Sequence, residues 1–160
     1  MAYNQDTKRK EMISMTKAIM FDMDGVLAGL YDVPNWLDYL IANDPTPYAV
    51  AKPLVNMNRL ARLLNRLQAE GYHIGIVSWL SKNSNEAYDR AVTETKLRWL
   101  NRHLHSVHWD EIKIVPYGTP KHEVVEIVSG ILFDDELPNR TNWIGKAYDE
   151  TQIFEILNSL

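Results

Sequence analysis

The chain has 160 residues, 46% of them hydrophobic and 24% charged, with a formal net charge of −4. This size and composition predict one soluble globular domain over residues 1–160, in a cytoplasmic setting. The absence of cysteine excludes disulfides, thiolate zinc sites and cysteine nucleophiles. No apolar run is long enough for a membrane span, and the scarcity of basic clusters argues against binding to duplex nucleic acid.

The first half of the chain alternates strand and helix patterns. Residues 1–14 are mostly polar and lack the apolar stretch of a signal peptide, so they are predicted to form a flexible tail. The apolar run AIMFD at 18–22 predicts a short buried strand. Leucines at helical spacing predict a helix over 55–69, which Gly71 ends, and HIGIVSW at 73–79 predicts a second strand.

A long helix is predicted next, over residues 84–103. Asn83 and Glu86 stand three residues apart and resemble a capping box at its start. The residues expected on its inward face are Tyr88, Ala91, Val92, Thr95 and Trp99. The remaining predicted elements are a strand at 111–117, a helix at 121–128, a strand at 130–135, an edge strand at 145–149 and a helix at 151–160.

This alternation predicts a doubly wound α/β fold of three layers, Rossmann-like, with a central parallel sheet and helices on both faces. Residues 28–53 depart from the alternation, because they hold four of the seven prolines and several aromatic residues. They are predicted to form a small cap-like insert with one short helix around WLDYLI. In such folds the ligand binds beyond the carboxyl ends of the strands.

Polar side chains follow the predicted strands at that edge. Because carboxylates that lie close together repel one another, their convergence predicts a bound cation, and oxygen ligands suit Mg²⁺. The converging side chains are Asp22, Asp24, Ser78, Lys121, Asp134 and Asp135.

These residue types suit phosphoryl transfer. A carboxylate such as Asp22 attacks phosphorus as a covalent nucleophile, and a second one such as Asp24 exchanges a proton with the leaving oxygen and then with water. Ser78 and Lys121 are suited to hold the phosphoryl oxygens and to neutralise their charge. The residues thus favour a phosphate ester as the substrate.

The motif FDMDGVL, followed in order by Ser78, Lys121 and the DD of residues 134–135, resembles the haloacid dehalogenase (HAD) superfamily. The resemblance covers residues 18–135. It implies that Asp22 is the nucleophile and Asp24 the acid and base. It also implies that Ser78 and Lys121 contact phosphate, and that Mg²⁺ binds Asp22, the Asp24 carbonyl and Asp134, with Asp135 close behind. The second aspartate of the motif is typical of phosphatases in that superfamily, not of its dehalogenases.

Within the superfamily, FDMDGVLA, the short aromatic insert and ILFDDE look most like the 5′(3′)-deoxyribonucleotidases and their small bacterial and phage relatives. That likeness implies a nucleoside monophosphate as substrate. Tyr31, Trp36 and Trp79 would then stack on a nucleobase, or else pack the insert onto the rest of the chain. Two alternatives stay open: a protein that binds and sequesters a nucleotide without turnover, and a phosphatase for sugar phosphates or phosphoproteins.

The five histidines are candidate metal ligands by residue type. His103, His105 and His108 form HLHSVH at a predicted helix end, without a carboxylate or thiolate at the usual spacing. His73 and His122 stand apart from them. The spacing of these five residues predicts no metal site.

Overall fold

The computed structural model describes Gln5 and residues 17–160, so apart from Gln5 the predicted tail at 1–14 lies outside the described residues. Five parallel strands form one sheet in the order β3-β2-β1-β4-β5. The strands are β1 (Ala18–Phe21), β2 (His73–Trp79), β3 (Glu111–Val115), β4 (Ile131–Phe133) and β5 (Lys146–Tyr148).

Seven α-helices connect or flank these strands in the described part of the chain. Short 3-10 turns at Leu30–Asp32 and Glu150–Gln152 accompany them. The helices are α1 (Trp36–Ile41), α2 (Thr46–Val50), α3 (Met57–Ala69), α4 (Glu86–His103), α5 (Lys121–Val124), α6 (Leu137–Asn142) and α7 (Ile153–Ser159). None of these described helices has the length and apolar character needed to cross a membrane.

Both faces of the sheet are buried, which explains why β1 is apolar throughout. Ile19 and Phe21 belong to a core that includes leucines of α3 and residues of α4 and α7. Met20 points to the opposite face, where Trp143 packs with residues of β2 and β4. Alternate side chains of a strand face opposite sides, so a strand covered on both sides needs apolar residues at every position. The predicted three-layer, Rossmann-like α/β fold is confirmed.

Several element boundaries differ from the sequence prediction. The helix predicted over 121–128 ends at Val124, because Val125 is extended (φ −86°, ψ 154°) and packs under the sheet. The strand predicted over 111–117 ends at Val115, one residue before a proline, which has no N–H to donate. Helix α4 is capped by Asn85, whose side chain accepts a hydrogen bond from Tyr88 N, so the assignment of its cap to Asn83 was wrong.

The ends of the segment 28–53 are fastened to each other. Gly29 N donates to Lys52 O at 2.8 Å, and Ala28 forms a β-bridge with Pro53. Ala28 also bridges Asp24, so this closed excursion of the chain begins and ends beside the carboxyl end of β1. Helix α1 coincides with the predicted WLDYLI helix, whereas α2 was not predicted.

Candidate active site

Strand register brings Asp22 and Asp134 together. Phe21 of β1 pairs with Phe133 of β4, and Asp22 N donates a hydrogen bond to Phe133 O at 2.9 Å. Each aspartate follows directly after its strand, so the two buried carboxylates lie at the same edge of the sheet. The chain leaves β1 for β2 on one side and returns to β4 on the other, and such a switch point is where open α/β sheets bind ligands.

Lys121, at the start of α5, lies between these two carboxylates. Its Nζ is 2.7 Å from Asp134 Oδ2 and 3.1 Å from Asp22 Oδ1. Burial by itself lowers the pKa of an ammonium group, but Asp22 and Asp134 outweigh it and raise the pKa of Lys121. Burial, followed by the charge of Asp22, raises the pKa of Asp134 even though Lys121 opposes this. The ammonium therefore does not fully compensate the carboxylates.

Asp135 adds a third carboxylate to the same place. Burial, together with the charges of Asp22 and Asp134, raises the pKa of Asp135 to about 8. Carboxylate oxygens of these three aspartates all lie within 4.8 Å of one another. An all-oxygen set with too little compensating positive charge is the chemistry that binds Mg²⁺, so the residues present fit that ion.

Gly25 makes this arrangement sterically possible. Its φ is +79°, in the region that side chains disfavour. A β-carbon there would collide with the Asp135 carboxylate and come within 3.2 Å of a ring carbon of Tyr31. Any other residue at this position would push Asp135 or Tyr31 out of place.

A second buried ammonium, from Lys96 of α4, lies beside Asp24. Its Nζ donates hydrogen bonds to Asp24 Oδ2 at 2.8 Å, to Ser78 Oγ at 2.7 Å and to Trp79 O at 2.7 Å. It also lies 5.1 Å from the centre of the Tyr48 ring, within the range of a cation–π contact. Lys96 is only 1% exposed, so α4 delivers a fully desolvated positive charge to the site.

Lys96 was not predicted as a site residue, although the pattern of its helix indicates a buried position. Val92 and Leu100 lie one turn on either side of Lys96, and both are buried. A lysine between two inward-facing positions of an amphipathic helix is itself placed inward. Buried lysines need a partner, so such a position predicts a carboxylate across from it.

Ser78, predicted to contact phosphate, is fully buried in β2. Its Oγ accepts the hydrogen bond from Lys96, and Ser78 is not among the described residues that line the cavity next to Asp22 and Asp24. The structure thus places Ser78 next to Lys96 and away from the cavity surface. Its contact with a phosphate stays a prediction.

A cavity of about 260 Å³ opens above the charged residues. Asp22, Asp24 and Lys121 belong to its lining. Two aromatic pairs form part of its wall: Tyr31 lies edge-on to Trp36 with ring centres 5.1 Å apart, and Trp79 is tilted against Tyr117 at 5.0 Å. The remaining lining residues are Leu30, Leu37, Leu40, Tyr48, Leu80, Ser81, Lys82 and Glu136.

The three aromatic residues singled out from the sequence all line this cavity. Tyr31 is 47% exposed, and Trp79 is fixed by a hydrogen bond from its Nε1 to Thr119 O at 2.8 Å. Tyr117 lies beyond β3 and was not predicted to have a role at the site. The aromatic wall therefore comes from three separate parts of the chain.

Comparisons with known proteins give structural neighbours but no family. No family model and no curated protein matches the chain. Two similar crystal structures are those of D,D-heptose 1,7-bisphosphate phosphatase from Burkholderia thailandensis and from B. bronchiseptica, the latter complexed with magnesium and phosphate. The chain is 16% identical in sequence to each of them. The aligned region covers 79% of this chain, and it covers 70% of the first structure and 74% of the second, with TM-scores of 0.46 and 0.48. At this level of similarity, the chemistry of the site has to be inferred from the side chains of the chain itself.

Proposed function

We propose that the protein is a Mg²⁺-dependent phosphomonoester hydrolase of the HAD type, acting on a small phosphorylated metabolite. The observation that carries this proposal is the placement of Asp22. It lines a cavity together with Asp24 and Lys121, and the Lys121 ammonium contacts both Asp22 and Asp134. Phosphoryl transfer needs an anionic nucleophile, a cationic side chain and a second carboxylate, and this cavity brings the three together.

Asp22 is the proposed nucleophile. Its Oδ1 accepts hydrogen bonds from Met23 N at 2.8 Å and from Lys121, which fixes the orientation of the carboxylate. Its other oxygen forms a bond to phosphorus while the bond from phosphorus to the leaving oxygen breaks, which gives an aspartyl-phosphate. Water then attacks phosphorus, and the bond to Asp22 breaks, releasing inorganic phosphate.

Asp24 is the proposed proton carrier. It gives a proton to the leaving oxygen in the first step and takes one from the attacking water in the second. Its Oδ2 is held by Lys96, which orients the carboxylate toward the cavity that Asp24 lines. Lys121 supplies positive charge where the phosphoryl oxygens accumulate negative charge.

Mg²⁺ would be held by Asp22 and Asp134, with Asp135 beside them. The resemblance to the HAD superfamily implies the Asp24 carbonyl as a further ligand. When bound, the ion neutralises negative charge on the phosphoryl group. The fit rests on the three converging carboxylates, whose mutual repulsion a divalent cation relieves.

We further propose a nucleoside monophosphate as the substrate. Two aromatic pairs stand in the wall of the cavity that Asp22 lines, so a phosphate at Asp22 places its organic group against flat aromatic surfaces. Stacking on such surfaces favours a nucleobase over a sugar, which has no π-face.

A panel of phosphorylated compounds tests the proposal. It contains nucleoside 5′- and 3′-monophosphates, sugar phosphates and a phosphopeptide, each assayed for released phosphate with Mg²⁺ and with a chelator. We expect Mg²⁺-dependent release, fastest from a nucleoside monophosphate.

The other outcomes separate the alternatives. Faster release from sugar phosphates or the phosphopeptide would overturn the nucleotide assignment but keep the reaction. A nucleotide that binds in calorimetry and is recovered unchanged would show a binding protein. An absence of release from every compound with Mg²⁺ would overturn the hydrolase.

A further inference from the structure

At the opposite edge of the sheet, where the strands begin, a second group of ionisable side chains converges. His73 is the first residue of β2, and Glu111 is the first residue of β3. Glu126 lies in the segment between α5 and β4. One potential ligand atom from each of the three lies within 4.8 Å of the others. Because all strands are parallel, this edge is remote from Asp22 and its neighbours.

The imidazole of His73 is the unusual member of this group. Its Nε2 is buried and has no hydrogen-bond partner among the described residues. It faces Glu111 Oε2 at 4.0 Å and Glu126 Oε2 at 3.9 Å, too far for hydrogen bonds but close enough to share a ligand. A buried ring nitrogen without a hydrogen-bond partner, lying between two carboxylates, is a polar atom that a bound ion would satisfy.

The two glutamates retain coordination capacity. Glu111 is buried, and its two oxygens accept a single N–H, that of Glu126, at 3.0 and 2.9 Å. Each carboxylate oxygen has two lone pairs, so Glu111 keeps free acceptor positions. The Glu126 side chain is 60% exposed and can rotate toward a ligand without disturbing the core.

We propose that His73, Glu111 and Glu126 form a second metal site, selective for a borderline divalent transition-metal ion such as Zn²⁺. One imidazole nitrogen and two carboxylate oxygens make a donor set typical of Zn²⁺, whereas Mg²⁺ prefers oxygen alone. With metal–ligand bonds of about 2.0–2.2 Å, two ligand atoms of a tetrahedral site lie about 3.4 Å apart. Closure of the site therefore requires an inward movement of Glu126 and a smaller approach between His73 and Glu111. His73 also lines a cavity of about 310 Å³, together with Tyr72 and Asp110.

The proposed ion would connect three segments that lie far apart in the sequence. His73 and Glu111 begin adjacent strands, and Glu126 follows α5, whose first residue is Lys121. The site therefore predicts a structural role for the metal, as a link between the sheet and the segment that leads back to β4. It is independent of the hydrolase proposal, because none of its three residues lines the cavity at Asp22.

Metal titrations in saturating Mg²⁺ test the site, since Mg²⁺ then occupies the oxygen-only cluster at Asp22. We expect wild-type protein to bind one Co²⁺ with a visible absorption band of tetrahedral intensity, and Zn²⁺ to displace it and raise Tm. Glu126→Gln changes an exposed side chain and leaves folding intact, yet it should weaken Co²⁺ binding at least tenfold, since even supporting partners of a ligand are worth about 10- to 100-fold. His73→Gln should have the same or a larger effect.

The matched control is His108→Gln. His108 is an exposed histidine paired with Asp110 at 3.7 Å, and among the described residues it has no second carboxylate partner. Binding in this variant should equal that of wild type. An absence of Co²⁺ and Zn²⁺ binding by wild-type protein, or binding that Glu126→Gln and His73→Gln leave unchanged, would overturn the site.

Discussion

The candidate active site has two parts, one built by the ends of the strands and one built by α4. In the first part, Lys121 pairs with the carboxylates of Asp22 and Asp134. In the half that α4 builds, Lys96 pairs with the Asp24 carboxylate and two neutral acceptors, a serine hydroxyl and a backbone carbonyl. We call these the strand half and the helix half. One cation facing two or more anions leaves the strand half short of positive charge, whereas the charges of the helix half balance. The difference indicates that affinity for a divalent cation belongs to the strand half.

The largest expected effect comes from changing the proposed nucleophile of the strand half. Asp22→Asn keeps the size of the side chain but removes the attacking carboxylate, so phosphate release should fall on the order of 10⁴-fold. The fold should persist, because the substitution also removes a repulsive charge beside Asp134. The comparison is with Asp38→Asn, a change on the exposed surface of α1, which should keep wild-type activity. Phosphate release by Asp22→Asn at a rate near that of wild type would contradict the mechanism.

The two lysines test the charge difference directly. Lys121→Met leaves the buried carboxylates of Asp22 and Asp134 without their cation, and Lys96→Met leaves the partly buried Asp24 carboxylate without one. The first change should lower the free energy of unfolding by about 3–5 kcal/mol, and the second by a smaller amount. Added Mg²⁺ should stabilise Lys121→Met more than it stabilises wild-type protein, because the cation takes over the missing charge. Its effect on Lys96→Met should equal its effect on wild type. Denaturant unfolding of each variant with and without Mg²⁺ measures this.

Lys82→Met serves as the control for the lysine pair, since Lys82 is exposed and should change stability by less than about 0.5 kcal/mol. Equal responses of Lys121→Met and Lys96→Met to Mg²⁺ would show that the two halves do not differ in cation affinity.

A smaller effect is expected at the start of α4, the helix that supports the helix half. Asn85 caps this helix through its hydrogen bond from Tyr88 N at 2.9 Å. Asn85→Ala should therefore lower the free energy of unfolding by about 1 kcal/mol. Asn83→Ala, two residues earlier, should leave it unchanged. Thermal or denaturant unfolding distinguishes the two, and an equal loss for both variants would contradict the assigned cap.

The smallest effect concerns the aromatic wall, which lies outside both halves. Trp36→Ala removes one ring of the Tyr31–Trp36 pair, and stacking contacts of this kind are worth about 0.5–1.5 kcal/mol. KM for a nucleoside monophosphate should rise about 2- to 10-fold while kcat is kept. KM for a sugar phosphate, the internal control, should stay the same. An equal rise for both substrates would argue against a base-stacking role.

The strand half could be predicted from the sequence because local patterns determine it. Once 18–22 and 130–135 are identified as parallel neighbours, Asp22 and Asp134 must emerge at the same edge of the sheet. Their contacts to Lys121 follow, since α5 begins at that same edge. The fold class could also be predicted from local patterns, because the alternation of strand and helix patterns defines the layers.

Asp24 and Ser78 of the helix half were predicted as site residues, but Lys96, its cation, was not, because its contact to Asp24 joins residues far apart in the chain. Lys96 reaches Asp24 across 72 positions, and propensity rules place a lysine at the surface by default. The cap of α4 was misassigned because Asn83 and Asn85 are both good N-cap residues and only the path of the backbone selects between them. Likewise, nothing local distinguishes the extended Val125 from a helical continuation of α5.

The central position of β1 also has a consequence for how the molecule folds. Its partners are residues 73–76 on one side and 131–133 on the other, so no contact of β1 within the sheet is local. Such pairings must wait until long loops close, which slows folding and exposes unpaired edges in the meantime. During synthesis, Asp22 emerges well before Asp134 and lacks that neighbour until β4 has been made. The cluster of carboxylates is thus assembled in a late step of folding, after which β1 no longer has an open edge to offer another chain.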